Sequence, residues 1–357
     1  MSESDKYIVA GVMSGTSLDG LDVAICEFSK NQSGYNYKIL DATTVAYDRP
    51  QKNKLQAAPY LNVENYFLLH HQFGKFIGKQ VAKLSQNAQI KPSSIASHGH
   101  TIFHQPAKGF TTQLGCGATI AAVSNLTTVC DFRSLDVALN GQGAPLVPIG
   151  DKLLFGDYQS CLNIGGIANI SFEREGKRIA FDIGVANMAL NFFAQKEGKE
   201  YDKDGEIAAS GSIHEALFNE LNQLEFYSRH SVKSLGREWF EIDFLRVVEK
   251  YSIPVNDLMC TIAEHSAFQI AEVLNANKLK NVFVTGGGAK NTFLITSLKN
   301  FYKGEVIIPD EKVIDFKEAL IFAFLGYLRL TNQINTLCSV TGAKKDSVGG
   351  AVYFVNS

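Results

Sequence analysis

Apolar positions along the chain gather in short runs, separated by stretches of Gly, Ser and Asp. Tyr7 to Val12 and Leu21 to Phe28 are β-prone runs flanking a tight Gly/Ser/Thr-rich stretch, which predicts a hairpin. Tyr37 to Tyr47 alternates enough to be a third strand. Apolar residues at Phe67, Leu68, Phe73, Phe76, Ile77 and Val81 predict a sheet-packed helix over Asn65 to Leu84. A strand over Ser94 to Phe103, a helix over Thr111 to Val123 and a strand over Thr127 to Arg133 follow. Asn140 to Pro148 reads NGQGAPLVP, the composition of a hinge. Domain I is therefore placed at 1–138 with a returning segment 340–357, and domain II at 139–339.

The second half restarts the pattern. Ser160 to Ile164, Gly165-Gly166 and Ile167 to Phe172 form another strand, Gly turn and strand. Ile179 to Ile183 is a third strand carrying Asp182, before a helix near Ala186. Asp257 to Asn275 is an amphipathic helix, with Leu258, Ile262, Phe268 and Leu274 on its apolar face. Asn281 to Thr285 is a buried parallel strand running into Gly286-Gly287-Gly288. Lys317 to Leu330 is mostly apolar, and Ser339 to Tyr353 reads as a loop and helix returning toward the first domain. The whole is an α/β chain with a weak internal pseudo-repeat.

At 357 residues the chain is long for one core and suits two domains. Its 45% apolar and 20% charged content is that of a soluble globular protein. A formal net charge of −2 offers no broad surface for nucleic acid or an anionic membrane. Met1 to Lys6 is no secretion signal, and no apolar run approaches the roughly 20 residues that span a bilayer. The six cysteines show neither C-x-x-C nor zinc spacing and read as buried reduced thiols. A cytoplasmic location is expected.

The chemistry concentrates at the turns. Gly15 to Asp22 offers backbone N–H groups with Ser14, Thr16 and Ser17 for an anion such as a nucleotide phosphate. Asp19 and Asp22 could orient magnesium through its waters. The alternative is an ordinary polar hairpin turn. It is not a Walker A loop, because the Lys-Ser/Thr ending is missing. His98 and His100, one residue apart on a strand, point to opposite faces and so do not chelate one metal. Arg133 beside Asp131 is either a surface ion pair or a bidentate clamp for a carboxylate or phosphate. Asp182, near the carboxyl end of a strand, is either a general base or the cap of the next helix. Asp202, Asp204 and Glu206 alternate like a calcium loop but lack its terminal acid, so a polar turn is expected.

Taken in order, YIVAGVMSGTSLDGLDVAICEF, SHGHTIFHQP, DFRSLDVALNGQGAPLVP, NIGGIANI, FDIGVANMALN, YDKDGEIAASG, KSLGREWF, VTGGGAKN and SVTGAKKDSVGGAVY resemble the successive blocks of the anhydro-N-acetylmuramic acid kinases, from about Ile8 to Tyr353. The resemblance implies a two-domain actin-like sugar kinase fold with ribonuclease H-like halves and a central nucleotide cleft. It implies an ATP- and magnesium-dependent kinase that opens 1,6-anhydro-N-acetylmuramic acid with water and phosphorylates its 6-oxygen, in cell-wall sugar recycling. By the same resemblance Asp182 is the catalytic base. His98, Arg133, Asn187 and Glu318 contact the sugar, with Arg133 on its lactyl carboxylate. Gly15, Thr16, Ser17, Leu18, Asp19, Gly20, Leu21, Asp22, Gly165, Gly166, Gly286, Gly287 and Gly288 meet the nucleotide, with Asp19 toward magnesium. A homodimer is implied as well. The chain departs from the family pattern at His100 (Gln), Cys116 (Asp), Asn191 (Asp) and the loop after Asp182, where the hydroxyl, Pro and second Gly are replaced. These departures leave open a nucleotide- or sugar-binding regulator on the same fold, or a kinase of altered sugar preference.

Overall fold

The computed structural model describes residues 6–15, 18–32, 34–229 and 233–355. Its strands are β1 Tyr7–Ser14, β2 Gly20–Asn31, β3 Gly34–Ala46, β4 Ser94–Gln105, β5 Phe110–Leu114, β6 Thr127–Cys130, β7 Ser160–Ile164, β8 Ile167–Arg174, β9 Lys177–Val185, β10 Asn281–Thr285, β11 Glu305–Ile307 and β12 Ala351–Tyr353. Packing divides the chain into one unit of Met1–Leu154 with Phe316–Ser357, and a second of Phe155–Asp315.

The first unit carries the sheet β12-β6-β4-β1-β2-β3, with β5 paired to β4. β1 is parallel to β4, β4 is parallel to β6, and β2 is antiparallel to both β1 and β3. The second unit repeats the arrangement as β11-β10-β7-β8-β9. There β10 is parallel to β7 and β11, while β8 is antiparallel to β7 and β9. Three meandering strands followed by two parallel ones make a ribonuclease H-like sheet, and the chain builds it twice. The predicted pseudo-repeat is therefore structural.

Each sheet is apolar on both faces, as parallel strands covered by helices must be. In the first unit Val12, Val23 and Ile25 pack with Phe73, Ile77 and Val81 of the helix Val63–Ala88. The other face takes the helix Glu311–Leu330, where Phe28 lies 5.3 Å from Phe324 and 5.7 Å from Tyr327 between ring centroids. Gly11 permits this close approach, because a Cβ there would lie 1.9 Å from the Ala319 carbonyl oxygen. In the second unit Leu162, Ile170 and Val284 pack with Leu258, Ile262 and Ile270 of the helix Val255–Ala276.

Three expectations need correction. Thr111 to Leu114 is not helical: it pairs with β4 as β5, and the helix begins only at Gly117. The β-branched pair Thr111-Thr112 in FTTQL fits a pleated strand better than a helix. The carboxyl-terminal segment ends in a strand, β12, antiparallel to β6. The Gly-rich stretch 140–148 is no linker, and the units divide after Leu154 and Asp315 rather than at 138 and 339. Buried Asp136 binds that stretch to the first unit, accepting from the Gly143 N–H at 2.7 Å and the Thr341 hydroxyl at 2.7 Å. Gly141 is needed because a Cβ would meet the Asp136 carboxylate at 2.1 Å.

Candidate active site

In the first unit the candidate residues collect at the carboxyl ends of the parallel strands β1, β4 and β6, the edge where open α/β sheets bind ligands. β1 ends at Ser14, and β2 begins at Gly20. Leu18 takes φ 61°, with its N–H on the Gly15 carbonyl at 3.3 Å. Asp19 is exposed, whereas Asp22 sits within β2 and accepts from the Thr44 hydroxyl at 2.6 Å. Gly20 is buried, and its Cβ would meet the Val45 carbonyl at 2.7 Å, so this glycine serves strand packing. Thr16 and Ser17 lie outside the described residues.

Beneath the turn, Tyr47 donates to the Ser14 hydroxyl at 2.7 Å, and Ser14 lies 3.1 Å from His100 Nδ1. Tyr47, Ser14 and His100 thus form one continuous buried hydrogen-bonded chain. Burial lowers the His100 pKa. His100, where the family pattern has Gln, thus supports the hairpin from below.

Arg133 follows β6, and its Nε donates to His98 Nε2 at 2.9 Å. Its Nη1 donates to the Gly143 carbonyl at 2.6 Å. Asp131 instead accepts from the Ser134 hydroxyl at 2.5 Å, so the sequence-level Asp131–Arg133 ion pair does not form. Among the described residues no carboxylate lies within ion-pair distance of the guanidinium. Burial lowers the Arg133 pKa to about 10, against the pull of Glu318. His98 is 5% exposed, and both its nitrogens are engaged, Nδ1 with the Gly99 carbonyl at 3.0 Å. A direct sugar contact by His98, as expected from sequence, therefore does not fit. Glu318 projects from the helix Glu311–Leu330 and is accessible although crowded by protein atoms. That crowding raises its carboxyl above the ordinary range, Arg133 opposing and Asp22 adding to the rise. Next to it Lys317 pairs with Asp151 at 2.8 Å, both nearly buried.

In the second unit two Gly turns meet at the carboxyl ends of β7 and β10. Gly286 has φ 82°, and a Cβ there would lie 2.6 Å from Asn163 Oδ1. A Cβ on Gly288 would lie 2.2 Å from the Ile164 side chain. Packing and backbone conformation therefore account for two of the three glycines. Gly287 is open, its nearest neighbour being Asn187 Nδ2 at 3.6 Å. Asn187 begins the helix Asn187–Lys196 and donates to the Ile164 carbonyl at 3.2 Å. The Gly165 and Gly166 carbonyls receive the first N–H groups of that helix, from Asn187 at 3.1 Å and Met188 at 3.0 Å. Gly165, Gly166, Asn187 and Gly286 to Gly288 thus form one constellation.

Asp182 is not a helix cap: it lies within β9, three residues before that strand ends, and the helix N-cap is Ala186. Between Asp182, paired with Asn169, and Gly184, paired with Ala168, β9 carries an extra residue. Such a bulge re-aims neighbouring side chains. Oδ2 accepts from the Leu235 N–H at 2.8 Å and the Ser234 hydroxyl at 3.1 Å, while the Asp182 N–H donates to the Lys233 carbonyl at 2.9 Å. Among the described residues both side-chain bonds fall on Oδ2, which leaves Oδ1 available. Burial raises the Asp182 pKa, and the two donors pull it back only in part. The carboxylate is fixed, has no cationic partner among the described residues and is poised to take a proton.

Sequence reasoning did not find the clamp at Ser234 and Leu235, although KSLGREWF stood out as a motif. The Ser14–Tyr47 link and the Asp136 anchor had no periodic signal. Among the described residues no group of three His, Cys, Asp or Glu side chains gathers as a metal cage. One exposed carboxylate, Asp19, is a donor set that suits a magnesium ion held mainly by phosphates and its own waters. The alternating acids near Asp202 are a polar turn as expected, with the Asp202 carboxylate capping Ile207 and Ala208 at 2.9 and 3.1 Å. Among the described residues no helix is long and apolar enough to cross a membrane.

Two ribonuclease H-like sheets in one chain, with Gly turns at their parallel-strand ends, define an actin-like sugar kinase fold. The family model for anhydro-N-acetylmuramic acid kinase matches residues 6–355, and the chain belongs to that family. It is 36% identical to an anhydro-N-acetylmuramic acid kinase of Francisella tularensis subsp. novicida, covering 98% of this chain and 99% of that one. It is 34% identical to one of Hahella chejuensis, over 98% and 99%. Among solved structures it overlays component A of the Acidaminococcus fermentans (R)-2-hydroxyglutaryl-CoA dehydratase, with a TM-score of 0.45 and 12% identity over 89% of this chain and 96% of that one.

Proposed function

We propose that this chain uses ATP to convert 1,6-anhydro-N-acetylmuramic acid to N-acetylmuramic acid 6-phosphate and ADP, with Asp182 as general base. Family membership supports the reaction, and the Asp182 clamp carries the assignment of the base. Oδ1 takes a proton from water as the water oxygen bonds to the anomeric carbon. The bond from that carbon to the 6-oxygen breaks. The freed 6-oxygen bonds to the γ-phosphorus of ATP, and ADP leaves. A positioned carboxylate contributes about 10²–10⁴-fold to such a step, and alignment of the reactants contributes much of the rest.

Arg133 holds the lactyl carboxylate, because it is a largely enclosed guanidinium with no carboxylate paired to it among the described residues. Glu318 and Asn187 contact the sugar. The Gly15–Asp22 turn and the Gly165–Gly166 turn hold phosphates, and Gly287 leaves room for the nucleoside. Magnesium, when bound with the nucleotide, neutralises phosphate charge, and Asp19 orients its waters. The protein works as a homodimer in the cytoplasm, where ATP is supplied. The test is ATP turnover with the anhydro sugar, with plain N-acetylmuramic acid and with neither, in ¹⁸O-water. Turnover with the anhydro sugar and ¹⁸O at the anomeric position of the product is expected. ADP formation without ring opening would overturn the reading.

A further inference from the structure

We infer that His98 is a positioning residue that presents Arg133 through its Nη groups and so sets selectivity for a carboxylate-bearing sugar. The inference rests on Arg133 being the carboxylate anchor, as proposed above. An unsupported guanidinium can offer a carboxylate either its end, Nη1 with Nη2, or its side, Nε with one Nη. Here the side is taken. Nε–H is spent on His98 Nε2 at 2.9 Å, and one Nη1–H on the Gly143 carbonyl at 2.6 Å. What remains is one Nη1–H and the two hydrogens of Nη2, so a carboxylate must be met through the Nη groups rather than through Nε.

The acceptor is fixed as firmly as the donor. His98 Nδ1 lies 3.0 Å from the Gly99 carbonyl, which can only accept, so the ring proton sits on Nδ1 and the Nε2 lone pair faces Arg133. The ring is wedged against Phe322, with centroids 4.6 Å apart, and Phe322 in turn packs on Phe132, the residue before Arg133. Burial and the adjacent guanidinium both disfavour a second ring proton. A protonated ring would turn the acceptor into a donor and release Nε. Glycine at position 99 allows the turn that brings its carbonyl under the ring: φ is 74°, and a Cβ would lie 2.2 Å from the Leu114 carbonyl.

The test compares the anhydro sugar with its analogue lacking the lactyl ether, in His98→Leu, His98→Gln and Arg133→Ala. His98→Leu removes the acceptor and is expected to raise KM for the lactyl sugar about tenfold, with kcat within about threefold and the analogue unaffected. His98→Gln restores an acceptor and should recover most of that loss. Equal effects of His98→Leu on both sugars, or a Gln variant no better than Leu, would overturn the inference. Should Arg133→Ala affect both sugars equally, the anchor assignment itself fails instead. Nitrogen-15 spectra of the wild-type ring need no variant. A proton on Nδ1 and an acceptor shift at Nε2 are expected, and the opposite tautomer would overturn the inference.

Discussion

Ser234→Ala removes one of the two donors to Asp182 Oδ2 while leaving the Leu235 N–H in place. A hydrogen bond to a charged group is worth about 1.5–3 kcal/mol. Ser234 is accessible, so water replaces most of it, and about 0.7 kcal/mol of lost stabilisation is a fair expectation. At 1.36 kcal/mol per pKa unit this is about half a unit. The donor favours the ionised carboxylate, so its loss raises the Asp182 pKa further above the ordinary range, in the direction burial already pushes it. A general base must be ionised to act. The acid limb of kcat/KM should therefore move up by about half a pH unit, with the high-pH plateau within about threefold of wild type. The assay is ADP release with the anhydro sugar from about pH 4 to 9. An acid limb that stays put, or moves down, would refute the reasoning that Asp182 is the titrating base held by this clamp.

Two further perturbations test other parts of the account. His265 is fully buried among the rings of Phe218, Tyr227 and Phe244, neither ring nitrogen has a partner among the described residues, and burial lowers its pKa to about 3. The unfolded chain takes up a proton near pH 6.5 that the native protein refuses. Stability should therefore fall as pH drops from about 6.5 toward 3, by up to about 1.4 kcal/mol per pH unit from this group. His265→Leu should flatten that part of the profile in urea titrations, and an unchanged slope would rule the group out. Gly287→Val should leave the fold intact, since its Cβ meets only Asn187 Nδ2 at 3.6 Å, yet weaken a non-hydrolysable ATP analogue at least about tenfold by calorimetry. Unchanged affinity would remove this turn from the nucleotide site.

Most of the longer strands and the long helices were legible because their apolar periods are unambiguous, whereas the short strands β5 and β12 were not. Asn281 to Thr285 and Ser160 to Ile164 were read to the residue, and β8 nearly so. The hinge reading of 140–148 failed for a physical reason. Glycine signals close approach as readily as freedom, and here it marks a backbone packed against buried Asp136. The same ambiguity inflated the triple-Gly turn, where only Gly287 is left unexplained by packing. Asp182 was legible as a residue but not in its setting, because its donors lie more than fifty positions away in sequence. Cys116 was visible as a departure, and its consequence is now visible too. It is the N-cap of the helix Gly117–Ser124 without a side-chain bond, where an Asp would contribute about 1 kcal/mol.

The central claim is that Asp182 activates the water that opens the sugar. Asp182→Asn keeps the shape of the side chain, and its amide oxygen can still accept from Leu235. It also discards a carboxylate whose ionisation burial disfavours, so the variant should fold at least as well as wild type at neutral pH. The decisive measurement is turnover of the anhydro sugar by this variant, with ATP and sugar binding checked by calorimetry. The account predicts that both ligands still bind and that ring opening and phosphorylation fall together by at least about 10²-fold. A folded variant that binds both and turns over at the wild-type rate would contradict it.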